Sequence, residues 1–180
     1  MRVLVIADTH VPDHAPALPP EVLAAADDVD LILHAGDVTR AGVLDELTAR
    51  APVQCALGNN DGPDVSAWGA TERVDLTIER VRVAMVHDAG PRAGRPARLR
   101  RWFPEADLIV FGHSHIPLAW QEGGAWFVNP GSPTWKRRQP APTMTVIDIE
   151  RGRVTPTLLR LPASPIHPRP EEDPDFRSPR

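Results

Sequence analysis

Five apolar runs in this chain each stop at a residue that can offer an oxygen or an imidazole nitrogen, and that repetition limits the folds open to it. Val3 to Ala7 leads into Asp8-Thr9-His10, Leu31-Ile32-Leu33-His34-Ala35 into Gly36-Asp37, and Val53 to Leu57 into Gly58-Asn59-Asn60-Asp61. Val81 to Val86 leads into His87, and Leu108-Ile109-Val110-Phe111 into Gly112-His113-Ser114-His115. Uninterrupted aliphatic runs rich in β-branched residues read as strands buried on both faces. Open α/β sheets bind ligands where the strands end and the loops diverge. The five ends together predict a single polar site. If the chain stays extended past Ala7, Asp8 and His10 point the same way and Thr9 the other, which suits two ligands for one metal ion.

Between the runs the periodicity changes. Glu21 to Asp28, after Pro19 and Pro20, reads as a short helix, and Ala41 to Arg50 as a second one that buries Val43, Leu44 and Leu47. Strand, helix, strand, helix, strand predicts a parallel sheet covered by helices. Further on, Val74 to Ile78 and Val81 to Val86 read as paired strands, and Arg95 to Phe103 as a basic amphipathic helix stopped by Pro104. Trp126-Phe127-Val128, Thr143 to Ile149 and Val154 to Leu159 supply more strands, the last two joined as a hairpin at Arg151-Gly152. A parallel half followed by an antiparallel half predicts an α/β (α+β) fold: two packed mixed sheets flanked by helices, a four-layer αββα sandwich. One domain is expected over residues 1–160, followed at 161–180 by a proline-rich, charged and flexible tail.

Composition excludes several functions. With 180 residues, of which 42% are hydrophobic, the chain can bury one sizeable core. A formal net charge of -4 gives no overall basic field for nucleic acid or an anionic membrane, so attraction for phosphate has to be local. No apolar run approaches the roughly 18 to 20 residues that span a bilayer. The chain enters a strand with no charged and apolar leader, so a cytoplasmic location is expected. Cys55, the single cysteine, lies within an apolar run and reads as a buried small side chain.

Taken in order, Asp8-x-His10, Gly36-Asp37, Gly58-Asn59-Asn60-Asp61, His87 and Gly112-His113-Ser114-His115 resemble the calcineurin-like metallophosphoesterases. Compact size and Asn129-Pro130-Gly131-Ser132 resemble the small YfcE-like phosphodiesterase branch, which also includes a retromer subunit. The resemblance covers about residues 1–160. It implies one metal held by Asp8, His10 and His115, another held by Asn59, His87 and His113, and Asp37 bridging both. Mixed imidazole and carboxylate donors suit Mn first, with Ni, Fe or Zn as alternatives, whereas calcium or magnesium would prefer an all-oxygen shell. Two divalent ions outweigh the charges of Asp8, Asp37 and a hydroxide, so the site is expected to attract an anion.

The expected function is a dinuclear-metal phosphodiesterase that hydrolyses a small phosphodiester or nucleotide with metal-activated hydroxide; Asp37, Asn59, Asn60 and His87 form its catalytic set. Two departures from the family pattern stand out. Asn60 occupies the place where many relatives carry a histidine that protonates the leaving group, and an amide cannot act as a general acid. Asp88 follows His87 where glycine and histidine are common, and reads equally as an extra ligand or as a charge that repels substrate. Asn60 keeps open an inactive protein-binding module of the same fold; a monoesterase or nuclease would share the site. Asp61 and Ser114 are candidates for steering His10 and Asn59.

Other residues have plainer readings. His34 is a hydrogen-bonded core histidine and His167 an inert tail residue; His14 could face the site from its loop, but a solvated loop residue is its plainer reading. Arg92 to Arg101 is the solvated face of a helix, while Lys136-Arg137-Arg138 is the better rim for substrate. Packing is the default for Trp68, Trp120 and Trp135, although Trp68 or Trp120 could make a homo-oligomer.

Overall fold

The computed structural model describes residues 1–162, so His167 and nearly all of the expected tail lie outside the described residues. The chain runs β1 (Arg2–Ile6), α1 (Pro20–Ala26), β2 (Leu31–His34), α2 (Ala41–Thr48), β3 (Val53–Cys55), α3 (Pro63–Trp68), β4 (Arg73–Ile78) and β5 (Val81–Val86). It continues through α4 (Arg95–Trp102), β6 (Leu108–Phe111), β7 (Leu118–Glu122), β8 (Ala125–Asn129), β9 (Thr143–Glu150) and β10 (Arg153–Arg160).

Two five-stranded sheets result, ordered β10-β9-β1-β2-β3 and β4-β5-β6-β8-β7. Strands β1, β2 and β3 are parallel, and β9 returns antiparallel to β1 with β10 as its hairpin partner. The expectation of an antiparallel second half is corrected here. Strands β5, β6 and β8 run parallel; only β4 and β7, at the two edges, are antiparallel. Helix α4 supplies one crossover and the edge strand β7 the other, so β8 can run alongside β6 in the same direction.

Neither α3 nor β7 was expected. Helix α3 buries only Val65, and β7 lies half-exposed at an edge, so neither carries a strong apolar period.

Alternation along the central strands creates three apolar layers. Leu4 and Ile6 of β1 pack with Val22, Leu44 and Leu47 beneath the first helices. Val3 and Val5 face the other way and meet Val83, Met85, Leu108, Val110 and Val128 between the sheets. On the outer face of the second sheet Ile109, Phe111 and Phe127 pack with Leu99 of α4. Cys55 is buried, as expected. Trp68 donates from its indole to Asp45 at 3.0 Å, and Trp120 stacks on Phe127 at 4.8 Å, so both rings have partners within the chain. No helix of the described residues is long and apolar enough to cross a membrane.

The carboxyl ends of β1, β2, β3, β5, β6 and β8 lie along one edge of the sandwich. That edge carries the donors.

Candidate metal centre

The chain does not stay extended past β1. Asp8 and His10 have φ of 55° and 45°, and Asp37, His113 and His115 have φ of 57°, 67° and 56°. All five are in the left-handed region, where residues other than glycine are uncommon and strain gathers at functional sites. The sharp turns are held by the backbone: Asp8 N–H donates to the Gly36 carbonyl at 2.9 Å and His10 N–H to the Asp37 carbonyl at 3.0 Å. The expected convergence of Asp8 and His10 is present, reached by a curled backbone and not by strand alternation.

Side chains gather into two groups. Asp8, His10 and His115 offer ligand atoms within 4.8 Å of one another, and so do Asp37, His87 and His113. His115 Nε2 lies 3.3 Å from Asp8 Oδ1 and 3.3 Å from His10 Nε2. Asp37 Oδ2 is 3.3 Å from His87 Nε2 and 3.5 Å from His10 Nε2, so this one carboxylate reaches both groups. Asn59 Oδ1 stands 3.1 Å from His87 Nε2 and 2.9 Å from His113 Nδ1.

The tautomers follow from carbonyl partners. His87 Nδ1 donates to the Ala35 carbonyl at 2.7 Å, and His115 Nδ1 donates to the Trp135 carbonyl at 2.6 Å. Both Nε2 atoms are thereby turned into the site, in the way ligating histidines are usually fixed.

This donor set fits metal ions on three observations. Both carboxylate oxygens of fully buried Asp8 lack a hydrogen-bond partner among the described residues. Acceptors face acceptors, Asn59 Oδ1 against His87 Nε2 above all, an arrangement that a shared cation would satisfy. Finally, burial and neighbouring charges favour protons in that place in the metal-free chain. Burial pushes the Asp8 carboxyl up to about 8, against the charge of His87. Burial opposes a charged His87, yet its hydrogen bond to Asp37 and the charges of Asp8 and Asp37 raise it to about 9. Burial would also raise Asp37, but His87 and Asn60 hold it below the usual carboxylate range. Burial lowers His10 to about 4 and His115 to about 3.

Ligands must be deprotonated, so loading metal at neutral pH has to displace the protons of Asp8 and His87. Metal affinity is therefore expected to rise between about pH 6 and 9, with protons released on binding. Calorimetric titration in buffers of different ionisation heat counts those protons; an affinity flat across this range would contradict the assignment.

The supporting contacts differ from expectation. Asp61 forms no hydrogen bond with His10 or Asn59 among the described residues. Its Oδ2 accepts from Gly58 N at 2.7 Å and Asp37 N at 3.2 Å, and its Oδ1 accepts from Thr39 N at 2.8 Å, so it fastens the ends of β2 and β3 together. Ser114 Oγ accepts from Asn129 Nδ2 at 3.2 Å and does not steer either residue. Asp88 is exposed, lies outside both groups, and accepts from Gly90 N at 2.6 Å, which makes it a turn cap. Asn60, though exposed, is tied to Asp37: its backbone N–H and its amide donate to the two carboxylate oxygens at 2.9 and 2.7 Å.

His34 is a core histidine, as expected, bonded to Thr9 Oγ1 at 3.0 Å and lowered to about 3 by burial. His14 is half-buried and faces the site: its ring stacks on Trp135 at 3.6 Å and meets His10 edge-on at 5.3 Å. Two residues missed from the sequence hold the β1 turn. Ser132 Oγ donates to the Asp8 carbonyl at 2.7 Å and Thr134 Oγ1 to the Thr9 carbonyl at 2.6 Å. Hydroxyls in a loop that follows a strand were the available signal.

The chain is similar to known proteins along nearly all of its length. The profile of the calcineurin-like phosphoesterase superfamily domain matches residues 1–152. A probable metallophosphoesterase of Methanothermobacter thermautotrophicus is 38% identical over 164 residues, covering 89% of this chain and 92% of that protein. Among solved structures, zinc-complexed Vps29 from Entamoeba histolytica superposes with a TM-score of 0.71 at 24% identity, covering 89% of this chain and 99% of the other. An archaeal phosphodiesterase superposes with a TM-score of 0.69 at 20% identity, covering 88% and 100%. These last two likenesses concern the fold.

Proposed function

Because the chain belongs to the calcineurin-like phosphoesterase superfamily, whose profile spans residues 1–152, we propose that it is a dinuclear-metal phosphodiesterase acting on small, activated phosphodiesters. The observation that carries this reading is the place of Asp37, whose Oδ2 reaches His10 Nε2 at 3.5 Å and His87 Nε2 at 3.3 Å. One carboxylate thus sits between two His/Asp groups. Asp8, His10 and His115 would hold one divalent ion, Asn59, His87 and His113 the other, and Asp37 both. Such a pair supplies a water of lowered pKa and positive charge for the phosphoryl oxygens. Manganese is the first choice on donor chemistry; zinc, which the Entamoeba Vps29 structure holds, is the next.

The chain's own residues set the rest. The Ala35 and Trp135 carbonyls keep His87 and His115 in the tautomer that presents Nε2. Asn60 spends its amide on Asp37, so it orients that carboxylate and gives no proton to a leaving group. A missing general acid typically costs about a hundredfold to ten-thousandfold, least where the leaving group is already stable as an anion. That favours activated esters, and the archaeal phosphodiesterase of the same fold directs the choice to diesters.

The test strips the protein of metal and adds back Mn, Ni, Mg or Zn, with bis-p-nitrophenyl phosphate and p-nitrophenyl phosphate as substrates. Diester turnover that needs metal and exceeds monoester turnover is expected. Faster monoester turnover would move the assignment to a phosphatase. No turnover, with metal bound by elemental analysis, would leave the protein-binding module.

A further inference from the structure

Of the three basic residues that follow Trp135, Arg137 is the one whose guanidinium packs on the Trp135 ring. Lys136 Nζ is tied to the Gln139 carbonyl at 3.0 Å, and Arg138 is exposed. Arg137 lies over the Trp135 ring, its guanidinium carbon 4.5 Å from the ring centroid. Trp135 is itself a wall of the site, since its ring meets His10 at 5.2 Å and His115 at 5.0 Å, both edge-on. Buried Arg137 Nε has no hydrogen-bond partner among the described residues, and no ion pair to Arg137 is formed among them.

We propose that Arg137, plated on the Trp135 ring that meets His10 and His115, binds a phosphoryl oxygen of the substrate and positions it. The chemistry is direct. A planar guanidinium stacked on an aromatic ring keeps its N–H edge for an acceptor, and phosphate oxygens match that fork. Asp8 offers acceptors without donors, which calls for cations; Arg137 offers a donor without an acceptor, which calls for an anion. The inference rests on the phosphoesterase reading for the identity of the anion, but its test does not need turnover.

The probe is inorganic phosphate, titrated into the metal-loaded full chain and into Arg137→Ala, Arg137→Gln and Arg137→Lys, with metal content measured in each. Phosphate is expected to bind roughly tenfold to a hundredfold more weakly to Arg137→Ala and Arg137→Gln at unchanged metal content. Arg137→Lys should recover part of the loss, and added guanidinium ion should restore binding to Arg137→Ala. For the diester, KM should rise more than kcat falls. Equal phosphate affinity at full metal content in wild type and Arg137→Ala would overturn the proposal, as would a loss that tracks metal content and that neither lysine nor guanidinium restores. A wild type without turnover, whose phosphate binding still depends on Arg137, would sink the hydrolase reading and leave this assignment standing.

Discussion

Asp37→Ala is expected to lower metal-dependent diester hydrolysis by about a thousandfold or more, because several kcal/mol of transition-state charge stabilisation would depend on ions that this carboxylate would help to hold. Its two oxygens accept from Asn60 N and Nδ2, and one of them reaches His10 and His87. Truncation leaves the Asn60 amide without its acceptor and takes the main support from the His87 proton, since the hydrogen bond with Asp37 is the largest favourable cause of its raised pKa. Burial then favours a neutral His87, so loss of metal and loss of charge can be separated. Asp37→Asn keeps the shape and removes the charge. If that variant loses as much as alanine does, charge is the cause; if it retains most activity, the carboxylate is an orienting group only. Elemental analysis beside kcat distinguishes the two, and activity within tenfold of wild type in Asp37→Ala would refute the bridging role.

The parts of the molecule that the sequence made legible are those in which one residue type serves one purpose. Val3 to Ala7 and Leu108 to Phe111 are apolar at every position because both faces of these strands are covered, and Leu4 and Val3 do enter different layers. Donors follow those runs because β1, β2, β3, β5 and β6 all end at the same edge. Strand direction in the second sheet was not legible. An apolar run states that a strand is buried but not which neighbour it joins, and the crossover through β7 carries little apolar signal.

Contacts through space were least legible. Asn60 read as the loss of an acid, whereas its amide is engaged with Asp37 from 23 positions away. Asp88 stood beside His87 in sequence, yet it is exposed, lies outside both groups and caps a turn at Gly90. Trp135 and His14 read as packing and as loop, yet their stacked rings line the first group. The left-handed turns at Asp8 and His10 were hidden for another reason. Such backbone is normally announced by glycine; here Gly36, Ser132 and Thr134 hold those turns from elsewhere in the chain.

Gly58→Ala should show how tightly the ends of β2 and β3 are drawn together. A Cβ at Gly58 would run into the Asp37 backbone nitrogen and carboxylate, and would come within 2.9 Å of the Asp37 Cα. The loop cannot simply move away, because Asp61 grips Gly58 N and Asp37 N with the same oxygen, at 2.7 and 3.2 Å. Relief has to break that grip or turn Asp37 out of the site. Overpacking of this kind costs about 1 to 3 kcal/mol, a fall of roughly 2 to 10 °C in Tm for a domain of this size, and displacing Asp37 should remove activity as Asp37→Ala does. Gly42 is the internal control: it lies in α2 with nothing within 4 Å of an added Cβ. Gly42→Ala is expected to be neutral or to stabilise by about 0.5 to 1 kcal/mol, since alanine restricts the unfolded chain and favours helix. Thermal unfolding and diester turnover on both variants decide the matter. A Gly58→Ala protein with wild-type turnover would mean that the β3 turn is loose, and that the close approach of Gly58 to Asp37 does not hold the bridging carboxylate in place.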